Sequence, residues 1–136
     1  MLGAIIPNGL YSRYSMWNNQ QSKEDKNEAK EALIDKNYNE IYAHELAHKN
    51  AGGHLAGAIV IERNSEGIPV GGHVDIKMPT LDPNNPKKTI NDADTVIRSA
   101  MAPADPSGQD YRVAARARNI KAEAEVLQKK RLNLIA

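Results

Sequence analysis

The chain has 136 residues, enough for one domain with a modest core. Lys and Arg number 18 against 17 Asp and Glu, a net charge of +1 without the basic footprint that nucleic acid attracts, so no nucleic-acid partner is expected. Cysteine is absent, which excludes disulfides and thiolate metal sites and leaves His, Asp and Glu as the strong metal ligands.

With no Phe, one Trp and alanine as the commonest residue, the core must rely on close helix contacts and on Leu, Ile and Val. The apolar run Met1–Ile6 is too short for a signal peptide or a membrane span and meets Pro7 at once. No later segment offers a span, so the default expectation is a cytoplasmic protein. Residues 1–21 carry Pro7, Gly9, Tyr11, Tyr14 and Trp17 without a sustained period. They read as an irregular N-terminal arm whose aromatics complete a thin core or form a lip over a site. Residues 22–136 then form the single domain.

Ser22 with Asp25 reads as a helix cap, followed by a charged, solvated helix from Lys23 to Ile34. Asp35-Lys36-Asn37 is expected to break or bend it. A second helix, about Tyr38 to Ala51, contains His44-Glu45-Leu46-Ala47-His48, the H-E-x-x-H pattern, and ends at Gly52-Gly53. At 3.6 residues per turn, side chains four apart project from one face, so His44 and His48 converge on one point. Glu45 is rotated by about 100°, which stands its carboxylate beside a shared ion as a proton acceptor rather than a ligand. The pattern therefore points to a zinc hydrolase; the alternative is a helix with two surface histidines.

A β-hairpin follows. Ala58–Ile61 is apolar, Asn64–Gly67 is turn chemistry, and Val70, Val74 and Ile76 alternate on the return. A turn centred on residues 65 and 66 pairs residue 73 near residue 58. Three prolines stiffen the loop from Met78 to Lys88. Thr89 with Asp92 is expected to cap a third helix, with Ile90, Ala93, Val96, Ile97, Ala100 and Met101 on its apolar side. Ser107 with Asp110 caps the last helix, in which Val113, Ala117, Ile120, Ala124 and Leu127 recur at helical spacing.

A catalytic zinc usually has three protein ligands and one water. Two histidines remain. His54 follows His44 by ten residues, but Ala51 occupies the position where a glycine would turn the chain back to the metal. His73 lies in Val70-Gly-Gly-His-Val-Asp75 on the returning strand, where strand pairing would hold it beside the metal helix. His73 is ranked first as third ligand, with His54 as an alternative or additional one. If both bound, no position would remain for water and the site would be structural.

His44-Glu-Leu-Ala-His48, Ala51-Gly-Gly53, Gly71-Gly-His-Val74, Ala102-Pro-Ala-Asp-Pro-Ser-Gly-Gln-Asp110 and Val113-Ala-Ala115 resemble the SprA-related metallopeptidases of bacteria, over about residues 40–125. In that family the G-G-x-V segment usually carries Glu where this chain has His73, and the position of His54 is not usually histidine. A Glu-to-His exchange keeps metal-ligating ability, which suggests that position 73 touches the ion.

The fold class read from these elements is α+β: a small, mainly helical zincin-like domain with an HExxH helix, a hairpin and two further helices. The function read from them is that of a zinc-dependent metallopeptidase acting on a peptide or protein. His44, His48 and His73 would hold Zn2+, Glu45 would be the general base, and Tyr42, Tyr111 or a tyrosine of the arm would stabilise the oxyanion. Asp75, Asp105 and Asp110 are candidates to orient the imidazoles. The rival reading is a non-catalytic, metal-stabilised module that binds a protein partner.

Overall fold

The computed structural model describes the backbone of residues 8–135 and the side chains of residues 12–135. In chain order it contains helix α1 (Asn8–Gly52), one turn of 3-10 helix (Gly53–Leu55), strands β1 (Ala56–Arg63) and β2 (Pro69–Ile76), and helices α2 (Pro86–Ala100) and α3 (Gly108–Ile135). This is the expected mainly helical α+β domain, with one two-stranded antiparallel sheet. No helix among the described residues is long and apolar enough to cross a membrane.

The beginning of the chain departs from the sequence reading. Between Leu10 and Ala51 there is neither glycine nor proline. Ser, Asp and Asn lower helix propensity by at most about 0.7 kcal/mol each, against about 1 for Gly and about 3 for Pro. Ser22 therefore starts no new helix, and Asp35-Lys36-Asn37 ends none; one helix runs through both. The arm expected to be irregular over residues 1–21 is helical from Asn8 onward, and residues 1–7 lie outside the described structure. Nor do Tyr14 and Trp17 cover a core. Every residue from Ser12 to Leu33 is exposed, and Trp17 keeps 59% of its surface in solvent. Burial along α1 begins at Ile34. At Asn37 the side-chain amide donates to the Pro69 carbonyl at 2.9 Å, tying the helix to the start of β2.

The hairpin forms where expected, but its register is two residues from the one read from sequence. His73 stands opposite Val60, not near residue 58. Asn64 N–H donates to the Ile68 carbonyl, so the turn is centred on Glu66, which moves the pairing by one residue. Val70 is an extra residue on β2, since Glu62 faces Gly71 and Arg63 faces Pro69; this bulge moves it by one more. The bulge also turns Val70 into solvent, 61% exposed, against the inward position its alternation suggested. Ile59 and Ile61 face the interior while Val60 and Glu62 face solvent.

α2 and α3 pack through small residues. Ala93, Val96 and Ala100 of α2 and Ala114, Ala117 and Ala124 of α3 are buried, and small side chains let helix axes approach closely. Leu55, Val96 and Ala117 form the centre, with Ile76, Met78, Ile97 and Val113 around them. The cap of α2 is Asn85, whose side chain accepts from Lys88 N–H, with Pro86 in the first turn. Thr89, read as a cap, is buried one turn further on. Its hydroxyl donates to the Thr80 carbonyl and accepts from Asp82 N–H, both at 3.0 Å, and so pins the Pro-rich loop. At α3 the expected cap is present and reciprocal: Asp110 N–H donates to Ser107 Oγ at 3.2 Å, and Ser107 N–H donates to Asp110 Oδ2 at 2.7 Å.

Candidate metal centre

His44, Glu45 and His48 lie in the last turns of α1, on the side that meets β2, α2 and the start of α3. One ligand atom from each comes within 4.8 Å of the other two, so the trio could hold a metal ion. The two imidazoles meet edge to face, with their Nε2 atoms 3.2 Å apart. His48 is buried, and its Nδ1 lies 2.7 Å from the Ser99 carbonyl. A carbonyl can only accept, so Nδ1 carries the proton and Nε2 is left with its lone pair turned to the cluster. That is the tautomer a metal-binding histidine needs. Two nitrogens this close either share a proton, His44 donating to His48, or can share a metal ion.

Ser99 holds His48 from both ends. Its carbonyl receives Nδ1–H, and its hydroxyl donates to the His48 backbone carbonyl at 2.7 Å. The sequence reading passed over this serine. Its signal was a small polar residue on the apolar side of an amphipathic helix, beside Val96 and Ala100. Ser99→Ala keeps the carbonyl and removes the hydroxyl, and should lower the unfolding free energy by about 1 kcal/mol in a denaturant titration. An unchanged midpoint would mean that the hydroxyl contributes nothing.

The cluster opens into a cavity of about 430 Å³ bordered by Gly72–Ile76, Ala100 and the first turn of α3. Glu45 is buried at its edge, only 6% exposed. Burial raises its pKa above the usual carboxylate value; His48, His44 and, least of all, His73 oppose this, and the negative charge of Asp110 adds to it. Asp110 reaches the same point from α3, with Oδ1 3.3 Å from His48 Nε2 and Oδ2 3.4 Å from His44 Nε2.

His73 and His54 are not in this cluster. Side chains alternate along a strand, and Gly72 is the residue of β2 aimed at α1, where a Cβ would meet Ile41 and Glu45. His73 is therefore turned to the other face of the hairpin, where its Nδ1 lies 3.1 Å from Glu62 Oε1 and its side chain is 46% exposed. It borders the cavity from the rim. His54 lies beyond Gly53, whose φ of +53° turns the chain away, and it lines a different cavity of about 570 Å³ with Lys77 and Asp82. That cavity is larger but contains none of His44, Glu45 and His48.

Of the tyrosines named as oxyanion partners, Tyr14, Tyr42 and Tyr111 border neither cavity. Tyr42 stacks on Tyr38 at 5.7 Å, Tyr111 is 54% exposed, and Tyr14 is solvent-facing; the Tyr11 side chain lies outside the described residues. Of the other acidic candidates, Asp75 borders the cavity from β2, and Asp105 is exposed in the loop before α3.

Fold and site together define a small, mainly helical α+β domain whose long first helix presents an HExxH group able to hold a metal ion. A sequence model of the SprA-related family matches residues 13–136, and the chain belongs to that family. Comparison with curated proteins and with solved structures gave no match.

Proposed function

We propose that the protein is a zinc-dependent peptidase in which His44 and His48 hold the ion and Glu45 is the general base. The observation that carries this reading is the buried Glu45 carboxyl beside two imidazole nitrogens 3.2 Å apart at the edge of an open cavity. The donor set is nitrogen and oxygen without sulfur, which suits zinc. When bound there, the ion would lower the pKa of a water toward neutrality and polarise a carbonyl.

Glu45 would accept a proton on a carboxylate oxygen and hand it to the leaving amine. A base is most effective when its pKa lies near the working pH, and burial moves Glu45 in that direction. A peptide substrate is favoured by β2. Five consecutive residues, Gly72–Ile76, border the cavity, and among the described residues β2 pairs only with β1, which leaves its other edge without a strand. An extended peptide can add to such an edge as a third strand.

The test is zinc content with a screen of fluorogenic peptides. The purified protein should carry about one zinc per chain at neutral pH, lose it as acid protonates the histidines, and cleave peptides only when loaded. Absence of bound zinc, with no thermal shift on adding it, sinks the zinc reading. Full zinc occupancy with no cleavage across the screen favours the metal-stabilised binding module instead.

A further inference from the structure

We infer that Asp110 is the third protein ligand of the metal, completing a His44, His48, Asp110 set from α1 and the first turn of α3. The inference rests on the metal reading above and names a ligand that the HExxH motif does not contain. Zinc bonds to nitrogen and oxygen of about 2.0–2.1 Å put neighbouring ligand atoms of a tetrahedron roughly 3.3–3.4 Å apart. The separations here are of that size: 3.2 Å between the two Nε2 atoms, 3.3 Å from His48 Nε2 to Asp110 Oδ1 and 3.4 Å from His44 Nε2 to Asp110 Oδ2, the carboxylate meeting each imidazole with a different oxygen. Two imidazoles from α1 and one carboxylate from α3 thus converge on one point beside the cavity.

No other described side chain competes well for the place. Glu45 stays within 4.8 Å of the nitrogens without pairing with either, as a base beside the ion should. The Nδ1 of His73 is taken by Glu62 at the exposed rim of the cavity, and His54 lines another cavity. Asp110 is also held in place. Ser107 N–H donates to its Oδ2, and the cap fixes the backbone of the turn that carries it, so little side-chain freedom remains to be lost on binding. The cap explains why the carboxylate sits at the start of α3. It does not explain why the two oxygens are each turned to one of the paired imidazole nitrogens.

Zinc affinity, measured by competition with a chromophoric chelator at neutral pH, separates a ligand from a cap. Asp110→Asn, nearly isosteric and still able to accept from Ser107, should weaken zinc binding by more than the about 10–100-fold typical of residues that only orient a ligand. Ser107→Ala removes half of the cap and leaves the carboxylate; its affinity should fall by no more than the about 10–100-fold of a residue that only orients a ligand. X-ray absorption of the zinc-loaded wild-type protein needs no variant and should count two imidazoles. Three imidazoles, or an Asp110→Asn protein that binds zinc within a few-fold of wild type, would overturn the assignment while leaving the peptidase reading intact. A wild-type protein that binds zinc through this set but cleaves nothing supports the assignment and sinks the peptidase. A wild-type protein that takes up no zinc overturns both.

Discussion

Replacing Glu45 by Gln should lower kcat by about 10²- to 10⁴-fold, the span general acid–base groups typically supply, with zinc content unchanged. The amide matches the carboxylate in size and can fill the same space beside Gly72, so the fold has no reason to move. It cannot take up a proton, and no neighbouring carboxylate replaces it, because Asp110 is turned to the two imidazoles. Activity in Glu45→Gln equal to wild type would remove Glu45 from the mechanism.

The metal-free variant supplies an independent check. The folded-state pKa of Glu45 is raised, chiefly by burial. A raised carboxyl pKa means that the folded state binds the proton more tightly than the unfolded chain. Its stabilising contribution is then fully present below the unfolded pKa and is lost as pH rises through the folded one. At neutral pH the buried charge works against the fold. Metal-free Glu45→Gln should therefore melt no lower than metal-free wild type at pH 7, and the two should converge in acid below the ordinary carboxylate range. A variant markedly less stable at neutral pH would show that the carboxylate makes favourable contacts in the fold.

The second large effect is expected at Gly72. A Cβ built there would lie 2.6 Å from Ile41 Cγ2, 3.0 Å from Glu45 Cγ and 3.0 Å from the Val60 carbonyl oxygen. The first separation is far inside van der Waals contact, and the last is to backbone of the paired strand, which cannot swing aside. Gly72→Ala must push β2 away from α1 or displace Glu45, and overpacking of this kind costs about 1–3 kcal/mol. Gly108→Ala is the control. Its Cβ would meet only the end of the Arg112 side chain at 3.6 Å, and its unfolding midpoint should stay within about 0.5 kcal/mol of wild type. Equal stability of Gly72→Ala and wild type in denaturant titrations would refute the close approach of strand and helix. If the variant folds, reduced turnover with retained zinc would show that the strain is passed to Glu45.

Gly72 also explains how the Gly71-Gly72-His73 segment misleads when read alone. Gly72 does let backbone come close to the helix that carries His44 and His48, as the sequence suggested. Which neighbouring side chain faces that helix is a matter of parity. In a strand one residue decides between two faces, and here the glycine has the inward position.

What the chain determined locally was legible in it. The spacing of His44, Glu45 and His48 is a property of helical geometry and needs no partner. The turn at Asn64–Gly67 and the reciprocal cap of Ser107 and Asp110 depend on residues a few positions apart, so both were readable and both are present. The order of helix, hairpin and two helices followed from periodicity and turn residues. Only the tertiary structure decided what these pieces do to one another. The continuity of α1 reflects the absence of any strong breaker against several weak ones, a balance that cap-like residues misrepresent. The hairpin register turned on a bulge at Val70, a one-residue event invisible in the alternation. The buried His48–Ser99 pairing and the meeting of Asp110 with both imidazoles join parts of the chain far apart in sequence. A helix start with Asp at its third position has the same sequence whether the carboxylate faces solvent or a metal centre. The packing of α3 on α2, through alanines that allow close approach, is what carries Asp110 to the imidazoles of α1.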